Sequence, residues 1–296
     1  MANADIAMYK AKEQGRDRFE LFTPSLNVDI RERLDLEVEL RRAVESEQFV
    51  LLYQPIVGVE DRALVATEAL IRWQHPDRGL IGPSNFIRLA EETGAIVPIG
   101  DWVIRTACAQ VARWLEDGLP AVPVSVNVSG HQLQHSDLVA TIQNALMDAG
   151  LPPRFLHLEI TEGVVLQDVS KAVIILRALR EMGVEISIDD FGTGYSSLTY
   201  LKRLPVDSVK IDRSFIADLA TDPNDAAIAT AIIAMAHSIG LRVIAEGIET
   251  EEQLAFLRSH GCDEMQGFLE GRPVPAAELT ARLEADQAPR PLSRSA

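Results

Sequence analysis

Eight short apolar runs alternate with amphipathic helical stretches between Phe49 and Phe268, and no other feature of the chain narrows its fold as much. They read FVLLYQP (49–55), ALVATEALIRW (63–73), VPVSVNVS (122–129), FLHLEIT (155–161), VEISIDD (184–190), DSVKID (207–212), LRVIAEG (241–247) and DEMQGF (263–268). A strand followed by a helix returns parallel to its predecessor. Eight such strands in roughly 230 residues is the count and size of a closed (β/α)8 TIM-type barrel, α/β in class, rather than of an open sheet. The first pair departs from this rule. Only GVEDRAL (58–64) separates strands one and two, too short for a crossover helix, so the first strand is expected to run antiparallel to the second.

Alternate residues of a strand point to opposite faces, so each run can be split by parity. One parity is apolar: Val122, Val124, Val126; Leu156, Leu158, Ile160; Val184, Ile186, Ile188; Val209, Ile211; Val243, Ala245. The other is mostly polar: Glu68 and Arg72 beside Leu70; Ser125 and Asn127; His157 and Glu159; Glu185, Ser187 and Asp189; Ser208, Lys210 and Asp212; Arg242 and Glu246. Helices between the strands must cover the outer face, which suits the apolar parity, and the polar parity is then directed at the barrel axis. Charges buried there without partners would be costly, so they are expected to converge on metal ions, a charged substrate, or both. Several stand at the C-terminal ends of their strands, the end where barrels of this class keep their sites.

Glu68, Asn127, Glu159, Asp189, Lys210 and Glu246 form the candidate set. Oxygen ligands without a histidine or cysteine cluster suit Mg²⁺ or Mn²⁺ rather than zinc. Four carboxylates exceed what one divalent ion needs, which points to two ions and to phosphodiester hydrolysis. Asp190 falls on the wrong parity for a regular strand. It is therefore expected to belong already to the following turn, where the glycines at 192 and 194 let the chain swing its carboxylate back over the axis.

The ordered motifs YQPIV, EAL and IRW (53–57 and 68–73), NVS (127–129), EITE (159–162), DDFGTGYSSL (189–198), VKIDRSF (209–215), AEGIET (245–250) and CDEMQG (262–267) resemble those of the EAL-domain cyclic di-GMP phosphodiesterases. The resemblance covers residues 36–283. It implies hydrolysis of cyclic di-GMP to linear pGpG with two Mg²⁺ or Mn²⁺ ions. The implied metal ligands are Glu68, Asn127, Glu159 and Asp189, with Asp190 on the second metal, Glu246 near both, and Lys210 orienting water. Gln54, Leu70, Arg72, Asp212 and Gln266 match substrate contacts, Gln266 and Glu249 also matching positions around the metals. Glu162 matches the anchor of the loop after VEISIDD, a loop that links metals to a homodimer interface. At Glu270 the chain carries an acid where relatives usually carry an apolar or small residue.

Upstream, Leu26, Ile30 and Leu34, then Leu36, Leu40 and Val44, predict a helix entering the barrel. ADIAMYKAKEQGRDRFELF (4–22) predicts a short helix capped by Asp5 and stopped at Gly15, followed by a strand. It resembles the close of a GGDEF domain. The expected organisation is a GGDEF remnant at 1–24, an EAL barrel at 25–285 and a frayed tail at 286–296, with upstream GGDEF or sensory domains as partners in a longer protein.

Composition sets outer limits. Asp and Glu outnumber Lys and Arg by 44 to 28, a net charge of −16, and such a surface repels long nucleic acid. The two cysteines lack metal-ligand spacing and fit reduced thiols of a cytoplasmic protein. His131 and His135, one helical turn apart, have no third ligand nearby in sequence and are expected to lie on a solvated face. FGTG lacks the third glycine of a dinucleotide fingerprint. Two other readings compete: a non-catalytic receptor for cyclic di-GMP signalling through its dimer or GGDEF partner, and a sugar hydrolase with paired carboxylates. A receptor would usually have lost motif residues, and the asparagine and lysine fit metals better than an acid–base pair.

Overall fold

The computed structural model describes residues 24–120, 122–193, 201–219 and 221–287, with side chains described between 35 and 285. The expected GGDEF remnant before residue 24, the tail after residue 287 and the glycine at 194 lie outside them. The described residues divide into two compact units, 24–49 with 73–95 and 50–72 with 96–287. No helix among them is long and apolar enough to cross a membrane.

The larger unit holds the barrel. Its strands are β1 (Phe49–Gly58), β2 (Leu64–His75), β4 (Val124–Asn127), β5 (Leu156–Thr161), β6 (Glu185–Phe191), β7 (Ser208–Ile211), β8 (Arg242–Glu246) and β9 (Glu264–Gln266), in the order β1-β9-β8-β7-β6-β5-β4-β2, closed by a β1–β2 pairing. Each neighbouring pair from β2 to β9 is parallel. β1 is antiparallel to β9, with Ile56 opposite Gln266, so the short first connection has the expected consequence. All eight predicted runs are strands. Two short strands, β3 (Gly79–Ile81) and β10 (Val274–Pro275), were not predicted; each adds antiparallel to β2 or β1 outside the closed ring.

Parity behaves as the sequence indicates. Val124, Val126, Leu156, Leu158, Ile160, Ile186, Ile188, Val209, Ile211, Val243 and Ala245 are all buried against the helix layer. The covering helices include α3 (Ile96–Glu116), whose buried Ile96, Ile99, Val103, Ala107, Val111 and Trp114 recur every three or four residues. Capping boxes, Ser129 with Gln132 and Thr250 with Gln253, start the helices Gly130–His135 and Glu251–Ser259; each N-cap contributes about 1 kcal/mol.

The opposite parity fills the axis in layers. His157, Glu185, Arg242 and Glu264 lie at the N-terminal mouth, lining a small space with Ile56, Ala66, Ser125, Ser187, Ser208 and Ile244 above them. Ile56, Ala66 and Ile244 form an apolar cluster, and Ser208 Oγ donates to Ser187 Oγ at 3.0 Å. His157 therefore belongs to a packed barrel layer.

The smaller unit contains α1 (Pro24–Glu45), one continuous helix over the predicted apolar positions, and α2 (Ile87–Thr93). Phe49, Trp73 and Phe86 pack with centroids 5.8–6.2 Å apart, and Leu40 and Ala43 of α1 are fully buried. His75 Nδ1 accepts from the backbone N–H of Asp77 and Arg78, which leaves Nε2 to donate to Glu39 Oε2 at 3.1 Å.

Candidate active site

β6 is where the backbone does something a regular strand cannot. Ile188 pairs with Val209 and Phe191 with Ile211, so three steps along β6 match two along β7. The extra residue is a bulge that sets Asp189 and Asp190 together against Lys210. Asp190 has φ +53°, the left-handed region that aspartate tolerates better than most residues at a cost of about 1 kcal/mol. The strand thus continues to Phe191 rather than ending before Asp190, correcting the turn expected from parity; the bulge achieves the same return to the axis. Gly192, with φ +99°, then opens the turn.

Lys210 is the centre. It is fully buried, with Nζ 2.6 Å from Glu159 Oε2, 2.6 Å from Glu246 Oε1, 3.6 Å from Glu68 Oε2 and 3.7 Å from Asp189 Oδ1. Glu68 is further held by Asn127 Nδ2 on Oε1 and Gln266 Nε2 on Oε2, both at 2.6 Å. Gln266 Nε2 also donates to Gln54 Oε1 at 3.0 Å. The Asp190 amide donates to Asp189 Oδ1. Carboxylate oxygens of Asp189, Asp190 and Glu246 lie within 4.8 Å of one another.

One ammonium among five carboxylates leaves excess negative charge, and the acidities record it. Burial and then the charge of Glu68 hold Glu159 well above the usual carboxylate range. Burial pushes Glu246 up to about 7, against the pull of Lys210. Asp190 is raised by burial and by the neighbouring Asp189 and Asp212. Glu68 moves down: burial alone would raise it, but Lys210, Gln266 and Asn127 together outweigh that. Lys210, despite its burial, is held well above the usual lysine range by Glu159, Glu246, Glu68 and Asp189.

These residues fit divalent cations. The donors are hard oxygens, the negative charge exceeds the internal counter-charge, and buried Glu159 Oε1 has no hydrogen-bond partner. Beside the cluster an open cleft of about 250 Å³ is lined by Gln54, Leu70, Glu249, Gln266, Gly267 and Phe268 together with Glu68, Asp189 and Glu246.

The sequence-predicted residues divide accordingly. Glu68, Asn127, Glu159, Asp189, Asp190, Lys210 and Glu246 come together, and Gln54, Leu70, Gln266 and Glu249 border the cleft. Arg72 is half-buried, its Nη1 donating to the Ile71 carbonyl. Asp212 accepts from the Ser214 amide, starting the short helical turn Arg213–Phe215. Glu162 is buried at the start of the helix Glu162–Gln167; the loop assigned to it lies mostly at 194–200, outside the described residues. Arg213, which sequence reading passed over, lines the cleft and donates to Glu249 Oε1 at 2.8 Å. Its signal was available, since it directly follows Asp212 in VKIDRSF.

His131 and His135 stack on each other with centroids 4.3 Å apart; His135 is exposed, as expected, but His131 is half-buried with its Nδ1 enclosed, so the solvated face expected for the pair holds only for His135. Cys108 and Cys262 are buried free thiols, both pushed up to about 12 by burial.

Residues 37–273 match the EAL domain family. The chain is 50% identical over 281 residues to the bifunctional diguanylate cyclase/cyclic di-GMP phosphodiesterase MucR of Pseudomonas aeruginosa, covering 95% of this chain and 41% of that protein. It is 45% identical over 285 residues to the cyclic di-GMP phosphodiesterase NbdA of the same organism, covering 96% of this chain and 36% of that protein. The chain thus spans less than half the length of these relatives. A solved PaMucR phosphodiesterase in complex with c-di-GMP superposes with a TM-score of 0.80 at 50% identity, over 83% of this chain and 99% of that one.

Proposed function

The chain belongs to the EAL domain family, and from that membership and the geometry of its site we propose that it hydrolyses cyclic di-GMP to linear pGpG with Mg²⁺ or Mn²⁺. The observation that carries the reading is Lys210, fully buried among five carboxylates of which Glu159 keeps an unpaired oxygen, beside an open cleft. Two such ions, when bound, supply positive charge to the attacking and leaving oxygens of a phosphodiester. Glu68, Asn127, Glu159 and Asp189 would hold one ion and Asp190 the second, with Glu246 also available as a ligand.

The chain's own residues do the rest. Lys210 orients the attacking water, and Glu246, 2.6 Å from the Lys210 ammonium, takes the water's proton. Water adds to phosphorus, the bond to the 3′ oxygen breaks, and the product carries a 5′ phosphate and a 3′ hydroxyl. Arg72 offers a planar fork to a phosphate, while Gln54, Leu70, Asp212 and Gln266 contact the nucleotide. Glu249, bound to Arg213, and Glu162 support the surrounding loops. A homodimer and upstream GGDEF or sensory domains complete the proposed assembly; sizing across concentration tests the dimer.

Purified protein incubated with cyclic di-GMP and Mg²⁺, Mn²⁺, Ca²⁺ or chelator, with binding and pGpG both followed, tests the reaction. Turnover with Mg²⁺ or Mn²⁺ and none with chelator is expected. Binding without turnover in both metals would make the domain a receptor.

A further inference from the structure

Glu270 lies outside the site and is not free. Its side chain is only 8% exposed, and Arg62 Nε donates to its Oε1 at 2.6 Å. Arg282 approaches from the other side, Nη2 3.5 Å from Oε2 and Nη1 donating to the Glu270 carbonyl at 3.1 Å. Arg62 is itself tied to Glu251 Oε1 at 2.9 Å. The carboxylate thus joins three parts of the chain: the β1–β2 connection, the turn after β9, and the helix Ala276–Gln287.

That turn is also a wall of the site. Glu270 and Gly271 both donate their amides to the Gly267 carbonyl, closing a tight loop, and Leu269 donates to Ile248. Gly267 is obligatory there, because a Cβ would fall 2.0 Å from the Ile248 carbonyl oxygen. Gly267 and Phe268 line the cleft. The next carbonyl, Gly271, accepts from Gln54 Nε2 at 3.0 Å, Gln54 Oε1 accepts from Gln266, and Gln266 donates to Glu68. Three successive hydrogen bonds run from Gly271, the residue next to the clamped Glu270, to a carboxylate at the centre of the site.

We propose that Glu270 is a positioning residue of this chain: clamped between Arg62 and Arg282, it fixes the 267–271 turn, and through Gly271, Gln54 and Gln266 it sets the cleft wall and the orientation of Glu68. The inference rests on the proposed function for its kinetic consequence but not for the clamp itself. Glu68 keeps Asn127 and Lys210 when the turn loosens, so substrate capture suffers more than the chemical step. The pairing is also reciprocal: an apolar residue at 270 leaves Arg62 without its buried partner, and once either member of the Arg62–Glu270 pair is gone, removing the other breaks no further bond between them.

Glu270→Leu, Arg62→Leu and the double variant test this, with KM and kcat for cyclic di-GMP in Mn²⁺ and amide hydrogen exchange at Glu270 and Gly271 in the unliganded protein. Each single variant is expected to raise KM about fivefold with kcat within twofold, and the double variant to be no worse than either, the non-additivity of one shared contact. Exchange at both amides should quicken in each single variant and no further in the double. Unchanged KM and exchange, or strictly additive losses, overturn the proposal. If the unaltered protein hydrolyses nothing, the proposed function fails while exchange still decides the clamp: unchanged protection in Glu270→Leu overturns it, and quickened exchange there that the double variant does not exceed upholds it.

Discussion

At the N-terminal mouth of the barrel Arg242 stands between Glu185 and Glu264, with His157 Nε2 3.6 Å from Glu185. At the C-terminal mouth Lys210 stands among Glu68, Glu159, Asp189, Asp190 and Glu246. Both sets lie on the barrel axis, with β5, β6 and β8 contributing to each, separated by the layer of Ile56, Ala66 and Ile244. The lower one is nearly balanced, and the Arg242 side chain remains 42% exposed, so water shares its solvation. The upper one is dry at its centre and overloaded with negative charge. Inward-facing charge alone is therefore no sign of a site in such a barrel; charge without enough internal counter-charge is.

That contrast can be broken most sharply at Lys210. Lys210→Met removes the sole buried cation of the upper layer, and chelated protein should lose about 3–5 kcal/mol in denaturant unfolding, the loss expected when one partner of a buried pair is deleted. Glu68→Ala should cost about 10²–10³-fold in pGpG formation, the effect of losing one preorganised charged group, while circular dichroism shows the fold intact. Mn²⁺ at about a hundred times its Kd should stabilise the unaltered protein by about 2.7 kcal/mol over chelated protein, a gain that Glu159→Gln abolishes.

The lower layer should respond in stability only, and modestly. Arg242→Leu is expected to cost about 1 kcal/mol, the size for an ion pair that water still reaches, with kcat of the folded protein unchanged. The smallest effect is chemical. Both thiols, pushed up to about 12 and buried, should resist alkylation at neutral pH. In Arg242→Leu, Cys262 should label faster, because its Sγ contacts the carbonyls of Val243 and Glu264 beside the altered residue; Cys108 should not.

Much of this was legible in the sequence because a barrel converts position into direction. Period two in six strands separated helix-facing Leu158 and Ile188 from axis-facing Glu159 and Asp189, and the seven-residue GVEDRAL connection dictated an antiparallel β1. Strand ends were less legible: VPVSVNVS and DEMQGF read as longer runs than Val124–Asn127 and Glu264–Gln266, because ladder pairing stops before the apolar pattern does. Asp190 was placed correctly at the axis for a partly wrong reason, since a one-residue bulge leaves no signature in period two until the partner strand is known. The two-residue β10 and the three-residue β3 carry too few residues to show any period. Least legible was the Arg62–Glu270–Arg282 clamp, whose members stand 208 positions apart in one case and meet only through the closed ring.

Calorimetric titration of Mn²⁺ into the unaltered protein, Glu159→Gln and Glu264→Gln weighs the two layers directly. Both substitutions neutralise a carboxylate on the inward parity, one at each mouth of the barrel. The unaltered protein and Glu264→Gln are expected to bind Mn²⁺ alike, whereas Glu159→Gln loses binding. Equal binding by all three, or loss on changing Glu264 alone, would contradict the assignment of the metal site to the layer around Lys210.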